Sequence, residues 1–349
     1  MKPFFRNKTF VVLYLVILNF VSCNKNTSNI TYSEVPVDTQ VNLTPYTITY
    51  PTYFTKMDIP SDNQPFVERI ELGKKLYYDN ILSNDGRSCA SCHLQSYGFT
   101  VPHTVSGTSV LPHVNLGWYN TFMWDGSKRG TLEDVMLFET EEFFATDLEK
   151  INASKTYKEL FKQCYNVDYI THKDIGYALA QFTRILVSGD NKYDRYLKGQ
   201  VMLTFHEEKG RQIFFSEKGD CFHCHVNVLT TDNALHNTGL DSVYTKQTDR
   251  GYYNITGDAK DLGKFKTPNL RNVALRKNFM HDGRFTSLEE VVDFYDHGVK
   301  HVSNIDPVMT KNEKIFGLKL TELEKMQLVA FLKTFTDSTF INDKQFNIK

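Results

Sequence analysis

The chain has 349 residues, with 40 Lys and Arg against 41 Asp and Glu, and a formal net charge of −1. Its 41% apolar and 23% charged residues are those of a soluble globular protein of about two domains, which excludes a disordered chain, a collagen-like fibre and a polytopic membrane protein. The balanced charge gives no reason to expect a nucleic acid as partner, and six cysteines are too few for a disulfide-dense scaffold.

Lys2, Arg6 and Lys8 precede an apolar run from Phe10 to Val21, too short to span a bilayer but suited to the core of a signal peptide. The run ends at Val21-Ser22-Cys23, the pattern of a bacterial lipoprotein signal. Residues 1–23 are therefore expected to be an export signal ending at a lipidated Cys23, with ordinary cleavage nearby as the alternative. Residues 24–55, rich in Asn, Thr, Ser and Pro, read as a flexible tether. The protein is expected in the periplasm, held to a membrane by its lipid.

The amphipathic stretch Glu71–Tyr78 carries Gly73 and leads into Cys89-Ala90-Ser91-Cys92-His93. Two further helical patterns follow, Thr156–Tyr165 and Asp174–Val187. Thr204–Ser216 then carries Gly210 and leads into Cys221-Phe222-His223-Cys224-His225. Thr321–Thr336 closes the chain as a helix, with Leu323, Met326, Val329, Ala330 and Leu332 expected inward.

C-x-x-C-H is the attachment signature of a c-type haem. Two thiols one turn apart reach the two vinyl groups of a porphyrin edge, and the following His supplies an axial nitrogen. A zinc site using both C-x-x-C pairs leaves the two adjacent His residues unexplained, and a redox dithiol needs only one pair. Two covalently bound haem c groups are the expectation, on Cys89, Cys92 and His93 and on Cys221, Cys224 and His225. With Cys23 lipidated, one cysteine remains, Cys164, which reads as a small buried residue.

The halves match beyond these motifs. Asn115 and Phe122-Met123-Trp124-Asp125-Gly126 parallel Asn272 and Phe279-Met280-His281-Asp282-Gly283, with the same Asn-to-Asp spacing. Leu132-Glu133-Asp134-Val135 parallels Leu288-Glu289-Glu290-Val291. The expected fold is mostly α, with two cytochrome c-like domains related by duplication, residues 56–200 and 201–340, and one haem in each.

From about Pro65 to Thr336 the sequence resembles the di-haem cytochrome c peroxidase family, which includes the di-haem maturase of methylamine dehydrogenase. The resemblance rests on both C-x-x-C-H motifs, Gly98-Phe99-Thr100, Phe122 to Gly126, Lys266-Thr267-Pro268-Asn269-Leu270-Arg271-Asn272, Met280 to Arg284 and Leu328 to Lys333. It implies a peroxide-reacting N-terminal haem and an electron-accepting C-terminal haem, with His93 and His225 as proximal ligands and Trp124 as a relay between them. Peroxide cleavage needs a distal acid and base. The family's Glu falls on Ala145 without a gap, its Gln on Val135 and its Pro on Glu139, which leaves Glu142 and Glu139 as candidates. The position of a distal His lands on Ser109. At the second haem the sixth ligand is Tyr295 or Met309.

The resemblance further implies a calcium ion between the domains, held in part by carbonyls near Arg276 and Asn278, with Ser109 where a ligating Asn is expected. Hydrogen peroxide and a small c-type cytochrome or similar donor are the implied partners, and a homodimer is a common form of the family. The rival functions are a maturase-like oxidase, acting on a protein or small substrate through a high-valent state, and a non-enzymatic di-haem electron carrier or redox sensor.

Overall fold

Two pairs of crossing helices organise the chain, which the computed structural model describes over residues 42–226, 228–310 and 317–348. The export signal and Cys23 lie outside the described residues. The helices that build the site are α1 (Val67–Tyr78), α2 (Leu132–Phe138) and α3 (His172–Arg184) in the first half. Their counterparts in the second half are α4 (Phe205–Phe214), α5 (Leu288–Asp293) and α6 (Glu322–Lys333). All but α1 begin in a capping box: Thr131 with Asp134, Thr171 with Asp174, Thr204 with Glu207, Ser287 with Glu290 and Thr321 with Glu324. Each box satisfies two otherwise unpaired amides at the helix start and stabilises it by about 1 kcal/mol.

Glycine sets both crossings. A Cβ on Gly73 would lie 1.9 Å from the Ala178 carbonyl oxygen of α3, and one on Gly210 would lie 1.9 Å from the Gln327 carbonyl oxygen of α6. Only a residue without a side chain lets the backbones approach this closely. The strands are two short antiparallel pairs, β1 (Thr121–Phe122) with β2 (Lys128–Arg129) and β3 (Leu235–His236) with β4 (Phe265–Lys266). The structure is thus mostly helical, and among the described residues no helix is long and apolar enough to cross a membrane.

Two apolar cores form. The first draws on Ile70 to Leu186, including Leu76, Phe99, Phe161 and Phe182, and the second on Tyr193 to Phe335, including Phe214, Leu328 and Phe331. Phe340 and Phe346 cross back to the first core. Cys164 is buried there, as expected for a small apolar residue.

Two expectations need correction. The span 24–55 is not a tether in its last part. Tyr46 and Ile48 pack on the first core, Phe54 is buried, and the Tyr53 hydroxyl donates to Asp194 Oδ1 at 2.8 Å. Its aromatic side chains bury apolar area that its polar composition concealed. In α6, Leu323 and Met326 are exposed, because the inward stripe is Leu328, Phe331, Leu332 and then Phe335, on the opposite side of the helix.

Candidate di-haem site

Each C-x-x-C-H motif sits on a short helical turn at the wall of a large cavity. Cys89–Cys92 is one turn, opened by a capping box in which the Ser88 amide donates to Ser91 Oγ at 3.0 Å. The next residues reverse in a tight loop. Gly98 and Phe99 both adopt positive φ, at 67° and 61°, and Leu94 and Phe99 close the loop by backbone bonds. This turn presents the Phe99 carbonyl to His93 Nδ1 at 2.9 Å. In the second half Thr230, at φ 53°, presents its carbonyl to His225 Nδ1 at 3.0 Å.

Both imidazoles thus have Nδ1 engaged and Nε2 left for a metal, the arrangement that fixes the tautomer of a ligating histidine. Burial lowers both, His93 to about 4, so each is neutral and able to donate a lone pair. None of the four thiols is in a disulfide.

The first cavity, partly open, is lined by Cys89, Cys92, His93, Trp124 and Glu139 among others. The second is lined by Cys221, Cys224, His225, Tyr295, Met309 and Trp124. Trp124 therefore borders both cavities, as do Lys266, Pro268 and Asn269. Trp124 follows Met123, at φ 61°, and is pinned from both sides: its Nε1–H donates to the Ser109 carbonyl at 2.5 Å, and its own carbonyl accepts from the Lys266 amide at 2.7 Å.

The two candidate acids part company. Glu139 opens a wide π-type turn, Glu139–Phe143, at the end of α2 and is half-buried in the cavity wall. Burial raises its carboxyl to about 7 against the pull of Lys128. Glu142 is exposed, does not line the cavity and pairs with Lys128 at 3.3 Å. Tyr295 lies in the matching π-type turn after α5, Phe294–Gly298, and burial raises its phenol. Tyr295 and Met309 both face the second cavity, with no geometric choice between them.

The residues fit a pair of haems in charge as well as shape. Lys266 is buried, lines both cavities, makes no ion pair among the described residues and is lowered to about 8 by burial. A buried cation without an anion is costly, and a carboxylate-bearing macrocycle would supply one. Its neighbours Lys264, Thr267, Asn269 and Arg271 are polar, so nothing local in the sequence signals that Lys266 is buried. His236 also lines the second cavity. It lies 2.5 Å from Asp306 and 2.8 Å from Asp232. Burial alone would lower it, but the two carboxylates raise it to about 12. His113 stacks on His93 with ring centroids 3.4 Å apart, and its Nδ1 is 3.2 Å from the Tyr77 hydroxyl, so it packs on the imidazole.

The residues do not fit the calcium ion. The Arg276 guanidinium already lies among the expected oxygens, with Nη2 donating to Ser109 Oγ at 2.6 Å and Nε to the Asn278 carbonyl at 3.4 Å.

Comparison with known proteins bears on this site. The sequence model of the family described as di-haem cytochrome c peroxidase matches residues 67–202. Cytochrome-c peroxidase IdrP1 of Pseudomonas sp. (strain SCT) is 30% identical over 324 residues, 80% of this chain and 84% of that one. Methylamine utilization protein MauG of Methylorubrum extorquens is 32% identical over 290 residues, 79% of this chain and 80% of that one. The crystal structure of a MauG-like protein associated with microbial copper homeostasis superposes with a TM-score of 0.78 at 32% identity, covering 86% of this chain and 99% of that one.

Proposed function

The chain belongs to the di-haem cytochrome c peroxidase family, and from that premise we propose that it reduces hydrogen peroxide to water with electrons from a small c-type cytochrome or similar donor. The overall reaction joins one peroxide, two protons and two electrons to give two waters. The observation that carries this reading is Trp124 on the wall of both cavities, with Glu139 raised to about 7 in the wall of the first.

Each half would hold one haem, the two halves having arisen by duplication. The matched histidine–carbonyl turns and glycine crossings support that reading. The haems, when bound, supply the redox chemistry. Cys89, Cys92 and His93 would hold one, and Cys221, Cys224 and His225 the other. Lys266 would compensate the negative charge brought by the haem carboxylates. Glu139, as carboxylate, takes the proton from the inner peroxide oxygen and returns it to the outer oxygen, which leaves as water. Trp124 offers an aromatic group that borders both sites. Export to the periplasm, lipid attachment at Cys23 and dimer formation belong to the same proposal.

The test is stopped-flow peroxide reduction by the half-reduced holoprotein, with reduced cytochrome c as donor. Rapid donor oxidation is expected, slowed by Trp124→Phe. Turnover no faster than that of free haem would end the peroxidase reading. The second reading is a maturase-like oxidase: Tyr295, unlike Met309, sits in the π-type turn that matches the turn of Glu139, and a phenol ligand there would lower the haem potential. A thioether–iron band in the holoprotein spectrum would assign Met309 and count against that alternative.

A further inference from the structure

Arg276 is a buried cation at the seam between the halves. It has no ion pair among the described residues, and burial lowers its guanidinium to about 10. Its Nη2 donates to Ser109 Oγ at 2.6 Å and its Nε to the Asn278 carbonyl at 3.4 Å, so one flat group ties the first half to the second. Ser109 is fully buried. Its amide donates to the His281 carbonyl at 2.8 Å, and its carbonyl receives Trp124 Nε1–H at 2.5 Å. The guanidinium is therefore two bonds removed from the indole that borders both cavities.

We propose that the Arg276 guanidinium is the inter-half cation of this protein, in place of a calcium ion. Calcium needs six to eight oxygens. Here Ser109 Oγ and the Asn278 carbonyl are engaged by the guanidinium, and Asn278 Oδ1 is a buried oxygen without a partner among the described residues. A divalent ion at this distance from a buried guanidinium would meet like-charge repulsion with little solvent to screen it. Removing the guanidinium frees those oxygens and removes the repulsion together.

The test stands apart from the peroxidase reading, because its readouts are metal content and thermal midpoint. Wild-type holoprotein dialysed against a chelator is expected to hold substoichiometric calcium, with a midpoint that neither chelator nor added calcium moves. Arg276→Thr should melt several degrees lower and regain stability when calcium alone is added. Arg276→Lys, which keeps the charge, should stay indifferent to calcium. One calcium per wild-type chain whose removal lowers the midpoint would overturn the inference. So would an Arg276→Thr protein as stable as wild type with and without calcium. If Arg276→Thr does not fold, the wild-type metal analysis still decides, and Ser109→Ala should lower the midpoint without creating a calcium response.

Discussion

Glu139 and Glu142 lie on one turn yet in different electrical surroundings. Glu142 is paired with Lys128 in solvent, where an ion pair is worth about 0–1 kcal/mol. Glu139 faces a cavity, and its raised carboxyl holds a proton that the unfolded chain would release above its ordinary value of 4.5. The sign follows: between pH 4.5 and about 7 the folded state binds more protons, so this group's contribution to stability declines as pH rises through that window. For peroxide cleavage the carboxylate is the active form, so kcat/KM should climb through about pH 7. Glu139→Gln should abolish that limb and lower turnover by about 10²- to 10⁴-fold. Glu142→Gln should change it by no more than about twofold. A pH profile unchanged in Glu139→Gln would remove Glu139 from the mechanism.

Helix crossings and π-type turns are where elements, rather than residues, make the site. Gly73→Ala would drive a methyl group into the Ala178 carbonyl, and overpacking of this kind costs about 1–3 kcal/mol. Urea unfolding followed by circular dichroism should show that loss, and an unchanged midpoint would mean that α1 and α3 can separate freely. The same scale explains what the sequence disclosed. The starts at Thr204 and Thr321 were legible and the haem turns were legible because C-x-x-C-H is local, whereas the first helix begins at Val67, ahead of the pattern that opened at Glu71. The π-type turns were not. Glu139 and Tyr295 each stand seven residues after the first residue of their helix, Leu132 and Leu288. Each therefore stands in the opening of a widened turn in its half, Glu139 as its first residue and Tyr295 as its second, with a carboxyl in one and a phenol in the other. Widening by one residue is set by tertiary packing, which no spacing reveals. Lys266 and Arg276 were hidden for a related reason, since burial of a cation depends on what surrounds it.

At the scale of the whole molecule the two halves are laced together by their ends. After α6, Asp337 binds three places at once: Ser188 Oγ donates to its carboxylate at 2.9 Å, the Asp190 amide at 3.0 Å, and its own amide donates to Asn272 Oδ1 at 2.8 Å. The chain then crosses to the first half. Gln95 Nε2 donates to the Phe340 and Asp343 carbonyls, and the Tyr78 hydroxyl donates to the Phe346 carbonyl at 2.8 Å. Phe340 and Phe346 close on Phe99, with centroids 5.3 and 6.0 Å away. Phe99 is the residue whose carbonyl orients His93. The C-terminal segment therefore buttresses the proximal side of the N-terminal site, although it follows the last helix of the other half. Phe346→Ala should cost about 3–5 kcal/mol in denaturant unfolding, the range for deleting a buried aromatic ring. The iron–histidine vibration of the first haem should shift, while that of the second, whose histidine rests on Thr230, should hold its place. Equal shifts at both haems, or a shift at the second alone, would mean that the buttress does not reach His93.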